Sequence, residues 1–186
     1  MKRLLLLTAL LVSTTVWSLE FIADASSSTL KWNAKNVSGE HYGQVKLKEG
    51  KLVVRDNQIA GGNFVINMET ITCEDLQSPD WNKKLLDHLK SDDFFSVGSY
   101  KVALLSNVRS EKFTGDKAKV TADLTIKGIT NPITFEVTRN GNVYSSKITV
   151  DRTYYNVRYG SGKFFQGLGD NMIYDDFTLD VKLVVK

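Results

Sequence analysis

The 186-residue chain has one cysteine, two histidines and two prolines. One Cys cannot form an intramolecular disulfide or a cysteine-rich zinc site, and two His leave little material for a His-based metal centre. The charge is nearly balanced, 24 Lys+Arg against 21 Asp+Glu. That gives no electrostatic footprint for nucleic acid. With 42% hydrophobic and 24% charged residues, the composition is that of a folded domain rather than a disordered one. No low-complexity run, internal repeat or Pro/Ser linker divides it.

The one long apolar run is at the start. Lys2 and Arg3 precede Leu4 to Val12, followed by small polar Ser13-Thr14-Thr15. A basic end, a short apolar stretch and a small-residue exit have the form of a secretory signal peptide, residues 1–18 with the cut after Ser18. The run is too short for a spanning helix, which needs ~20 apolar residues. On this reading the mature chain, 19–186, is one domain, exported to the periplasm or secreted, and keeps no membrane span. Losing Lys2 and Arg3 reduces its formal charge from +3 to +1. A lone Cys73 then leaves core packing to hold it together.

What is present is alternation. Leu30, Trp32 and Ala34 share one face of a strand; so do Val45 and Leu47, then Phe64, Ile66 and Met68. Val120, Ala122, Leu124 and Ile126 repeat the pattern, as do Ile133, Phe135 and Val137, and finally Phe177, Leu179, Val181 and Leu183. Val102 and Leu104 share a face, but Ala103 and Leu105 make that strand ambiguous. Turns are expected at Glu49-Gly50-Lys51, Asp56-Asn57-Gln58, Gly128 to Pro132 and the Asn140-Gly141 hairpin. Gly61-Gly62 marks a bulge or bend within a long strand from Ile59 to Ile71. One segment does not alternate: Ser78-Pro79 opens a short helix to about Lys90, with Trp81, Leu85 and Leu89 on one stripe. About eight long strands joined by tight turns give an all-β fold, either a sandwich or a closed antiparallel barrel, with strand length favouring the barrel.

Chemistry is scarce. Gly160-Ser161-Gly162-Lys163 fits neither a nucleophile elbow nor a phosphate loop. No spacing forces His41 or His88 to meet Glu40, Asp87 or Cys73, so both read as loop or packing histidines. Asp151 to Tyr174 is rich in Tyr, Phe, Gly and cations, and reads as an end cap or ligand clamp.

Several segments in order carry a resemblance. They are Gly39-Glu40-His41-Tyr42-Gly43, Gly50-Lys51-Leu52, Ile59 to Met68, His88-Leu89-Lys90-Ser91-Asp92-Asp93-Phe94-Phe95, Leu124 to Thr134, and Asp151-Arg152-Thr153. Together they resemble the YceI-like family of exported lipid-binding proteins. The resemblance implies an eight-stranded lipocalin-like antiparallel β-barrel with a short helix near its opening. It also implies an isoprenoid or other amphiphilic lipid as lumen partner, no cofactor, no metal and no catalysis. The lining would include Trp32, Phe64, Ile66, Met68, Val120, Leu124, Phe135, Phe177 and Leu179, with Arg152, Arg158 or Lys163 meeting a head group. A protein-interaction or envelope-stress module with a filled barrel is the alternative, a lipid-modifying enzyme a more distant one. Homodimerisation is left open.

Overall fold

The computed structural model describes residues 18–186; the signal-peptide reading of 1–18 falls almost wholly outside them. The strands are β1 (Leu19–Ile22), β2 (Thr29–Asn36), β3 (Glu40–Arg55), β4 (Gln58–Asn67), β5 (Val102–Ser110), β6 (Lys117–Ile126), β7 (Ile129–Asn140), β8 (Val143–Asp151) and β9 (Ile173–Val184). The helix α1 spans Pro79–Lys90 between β4 and β5. All pairings are antiparallel, in the order β1-β3-β2-β9-β8-β7-β6-β5-β4, and β4 pairs back onto β3 to close the barrel.

Nine strands occupy eight positions. β2 pairs with the first part of β3 and β1 with its last part. They are two halves of one staved position, broken at Ala23–Ser28. The break is stitched by hydrogen bonds: Asp24 N–H donates to Val184 O, the Ser28 hydroxyl to Asp24 O, and Val184 N–H to the Ser28 hydroxyl.

Several expected turns change. Glu49-Gly50-Lys51 does not turn; β3 runs straight through it with a register shift between Leu47 and Glu49. Gly50 lies opposite Phe64 on β4, and a Cβ there would sit 2.2 Å from the Phe64 ring. The glycine makes room for a cross-strand ring rather than for a turn. The chain reverses after β6 in only two residues, Lys127 and Gly128, both with positive φ. Ile129 to Pro132 therefore belong to β7. Pro132 is tolerated there because the β7–β8 ladder covers only Thr138 to Asn140, so no partner awaits its missing N–H. The next hairpin centres on Gly141-Asn142, one residue later than expected, with Asn140 ending β7. The long fourth strand ends at Asn67, and Met68–Thr70 make a turn of 3-10 helix.

β5 resolves the ambiguity against Val102 and Leu104. Ala103 is buried, whereas Leu104 is exposed. A bulge at Asn107, which has positive φ, shifts the alternation so that Val108 also turns inward. In α1, Leu89 is buried and Leu85 and Leu86 half-buried, but Trp81 is 61% exposed, with the Lys84 ammonium 4.9 Å from its ring centroid.

Two apolar clusters result. The larger lines the inside of the barrel, with members from Ala23 to Val185. The smaller, Trp32, Ile71, Cys73, Leu89, Phe94 and Val157, joins α1 and the loops around it to one end of the barrel.

Candidate ligand cavity

The barrel is not filled. It encloses a cavity of about 200 Å³, bounded almost wholly by carbon. At ~10–15 Å³ per water centre this is room for several waters. A water there would find few hydrogen-bond partners, so the space suits an apolar occupant.

The inward alternation of each strand builds the wall. All nine residues named from the sequence face it: Trp32 from β2; Phe64 and Ile66 from β4, with Met68 just beyond; Val120 and Leu124 from β6; Phe135 from β7; Phe177 and Leu179 from β9. Phe135, Phe177 and Leu179 point inward yet remain only half-buried, because part of their surface borders the cavity itself. Others that sequence reasoning placed inward without assigning them to the lining also contribute, among them Leu30, Val45, Leu47 and Leu183. Ala103 and Leu105 escaped because four successive apolar residues, Val102 to Leu105, leave the inward face of β5 undecided, and Val108 because the bulge at Asn107 shifts the alternation. Ile148, Tyr144 and Ser146 of β8 escaped because two adjacent serines blur its pattern. The Ser146 hydroxyl donates to Glu136 O on β7 at 2.6 Å, which keeps the inward polar group bonded.

One end is capped by Leu89 of α1, Phe94, Phe95 and Arg152. Tyr174 belongs to this wall and is 48% exposed. Around it the Asp151–Tyr174 segment exposes Tyr154, Tyr159, Phe164 and Phe165. Tyr159 packs against Phe94 at 5.6 Å between centroids and edge-on to His88 at 4.5 Å.

Of the three head-group residues, Arg152 and Lys163 meet at the Asp175 carboxylate, while Arg158 stands apart. Arg152 is 4% exposed and lines the cavity end, but its guanidinium donates to Tyr174 O, Val157 O, Tyr159 O and Ile173 O at 2.9–3.1 Å. Burial pushes its pKa down, while the Asp175 and Asp151 carboxylates raise it. It acts as a clamp that ties the cap loop to β9. Asp175 Oδ1, buried without a hydrogen-bond partner, lies 3.7 Å from it. Lys163 reaches Asp151 Oδ2 at 2.7 Å and Asp175 Oδ2 at 3.4 Å. Arg158 stacks over the Phe164 ring at 4.6 Å, out on the loop.

Neither histidine lines the cavity, and among the described residues its wall holds no carboxylate or imidazole. His88 lies 3.6 Å from Asp93. His41, expected in a loop, is the second residue of β3 and meets Asp75, a residue the sequence did not single out. Cys73 is buried beside the same carboxylate.

A closed antiparallel barrel with a carbon-lined lumen and a helix at one end defines the class of hollow eight-position barrels. Within that class, the YceI-like domain matches residues 21–185, and the chain belongs to the YceI-like family. Protein YceI of Escherichia coli O157:H7 is 30% identical over 95 residues, covering 51% of this chain and 47% of that protein. A UPF0312 protein of Pseudomonas putida is 49% identical over 55 residues, 29% of this chain and 28% of that one. These alignments thus span about half or less of the curated relatives. Among solved structures, BcnA of Burkholderia cenocepacia superposes with a TM-score of 0.65 at 21% identity, over 88% of this chain and 99% of that one. A polyisoprenoid binding domain from Saccharophagus degradans gives 0.57 at 14% identity, over 89% and 97%. At such identities the likeness is one of fold.

Proposed function

We propose that the protein binds an isoprenoid or similar amphiphilic lipid in its lumen and serves as an exported carrier or reservoir, with residues 1–18 directing it to the periplasm or out of the cell. The observation that carries this is the cavity: an apolar wall contributed by every barrel strand from β2 to β9, with almost no polar surface. Family membership and a fold shared with a polyisoprenoid binding domain support it.

A lipid tail needs little more than carbon around it, since each buried CH₂ contributes ~0.8 kcal/mol. The resting volume of about 200 Å³ is below the ~300–1,000 Å³ of ordinary ligand pockets. A thin chain lying along the bore fits that shape better than a compact molecule. A longer tail is admitted by rotation of Met68 and the half-buried Phe135 and Phe177 side chains, the adaptable part of the wall. The wall places no acid–base pair beside such a tail, which favours binding over catalysis.

Mass spectrometry of organic extracts from the purified protein tests this. A lipid retained from the cell, or taken up from polyprenyl vesicles, is expected. Absence of both retention and uptake would contradict the proposal.

A further inference from the structure

The helix-capped end holds a second feature, unconnected to the lumen's apolar chemistry. His41 falls on the same alternation of β3 as Gly43, Val45 and Leu47, the last two of which line the cavity. It therefore stands at the inner rim of the barrel, opposite Ala34 of β2. Over this rim passes the segment Thr72–Asp75 on its way to α1. Thr72 N–H donates to Gln44 O and Glu74 N–H to Tyr42 O, so the segment is tied along the start of β3. The Trp32 indole N–H donates to Thr72 O at 3.0 Å. Gly43 permits the crossing: a Cβ there would lie 2.0 Å from Thr72 O and 3.0 Å from the Cys73 Cα. Backbone meets backbone with no side chain between, which fixes what the segment presents to His41.

It presents Cys73 and Asp75. Asp75 Oδ2 lies 2.7 Å from His41 Nδ1, Asp75 Oδ1 accepts from the Cys73 thiol at 3.2 Å, and all three donor atoms fall within 4.8 Å of one another. Asp75 Oδ1 also accepts the Tyr42 N–H at 2.9 Å, which orients the carboxylate from behind. Cys73 is buried, Asp75 mostly so, and the His41 side chain 34% exposed.

We propose that His41, Cys73 and Asp75 form a binding site for a divalent cation of the zinc class. A nitrogen, a sulfur and an oxygen donor with one side open to solvent is the donor set of a three-residue zinc site whose fourth ligand is water. Zinc bonds of about 2.0–2.3 Å in a tetrahedron put donor atoms roughly 3.3–3.7 Å apart. Reaching that from the present distances takes side-chain shifts of about an ångström, with the backbone left in place. The charges also match, a thiolate and a carboxylate against a dication. On binding, the Cys73 S–H proton passes to solvent and the sulfur lone pair forms the new bond. The His41 Nδ1–H that donates to Asp75 Oδ2 passes to solvent and Nε2 takes a proton from solvent, so the neutral ring binds through its freed Nδ1 lone pair, while Asp75 supplies one oxygen. Burial pushes the Cys73 thiol pKa up, with the Asp75 side chain adding to the rise, so without a cation the sulfur is held as S–H rather than as a standing nucleophile. Bound there, the ion would tie the β3 rim to the loop that leads into α1.

Cobalt(II) titration of the tag-free protein, reduced and in metal-free buffer, tests the site. A near-ultraviolet thiolate-to-cobalt charge-transfer band with strong visible d–d bands is expected, saturating at one ion per chain and bleached by Zn²⁺. Asp75→Asn and His41→Ala are each expected to weaken binding at least tenfold, with circular dichroism showing a retained fold. Absence of the charge-transfer band at millimolar cobalt would overturn the proposal. So would unchanged cobalt affinity in the folded His41→Ala and Asp75→Asn proteins. His41 is a third exposed, so that variant provides a folded comparison even if Asp75→Asn does not fold.

Discussion

At the scale of single residues, the groups that matter most are those with nowhere to move. Gly43 is one. A methyl group there would meet the Thr72 carbonyl, which is backbone. Gly43→Ala is therefore expected to cost roughly 1–3 kcal/mol, as overpacking does, read as a lower urea midpoint. Arg152 is another. It donates four hydrogen bonds to carbonyls of the cap loop and β9. Arg152→Met is expected to cost about 3–5 kcal/mol, because it strands the neighbouring carboxylate and the carbonyls in a buried setting. Arg152→Lys should restore little, since one ammonium cannot span the same partners. A denaturation midpoint of Arg152→Met equal to that of the unaltered protein would contradict the clamp. The sequence revealed the aromatic wall but not these roles. Arg152 read as a head-group contact because nothing in its neighbours shows four carbonyls converging on it from residues 157–174.

At the scale of elements, period-two patterning located the strands and their inward faces, and Ser78-Pro79 marked where α1 starts. It failed wherever a strand departs from strict alternation. Gly50 looked like a turn because a glycine that accommodates the Phe64 ring cannot be told locally from one that bends the chain. The inward face of β5 was ambiguous over Val102 to Leu105, and the Asn107 bulge hid Val108, for the same reason: register is set by the partner strand. The β1–β2 break was equally invisible, and it supplies a pH dependence. Asp24 at the break accepts from the Ser26 hydroxyl and N–H and from Ser27 N–H, and lies 3.3 Å from the Lys186 ammonium. The Ser26 hydrogen bond foremost, then that from Lys186, hold its carboxyl far below the ordinary range. A folded pKa below the unfolded one means the stabilisation is complete above about pH 4, the unfolded value. It is then lost as pH falls below that toward the folded value. Asp24→Asn is expected to lower the melting temperature at neutral pH and to flatten its fall between about pH 4 and 2. A slope unchanged from that of the unaltered protein would remove Asp24 from the acid response.

At the scale of the whole molecule, eight strand positions close a cylinder whose inner side chains do not quite meet. No single residue creates that space; it comes from strand number and the mix of small and large inward residues, Ala34 beside Phe177 and Ala103 beside Ile66 on neighbouring strands. Alternation could tell which residues point in, but not whether they touch. Volume is a property of closure, and closure is absent from any one segment. The lumen as a lipid site is the central claim, and native mass spectrometry after exposure to polyprenyl-loaded vesicles tests it most directly. Ala103→Trp and Ala34→Trp, which fill the bore from two strands, run beside the unaltered protein. A one-to-one lipid adduct is expected for the unaltered chain and its loss in both variants, with their melting temperatures showing them folded. No adduct on the unaltered chain, or equal adducts on all three, would contradict it.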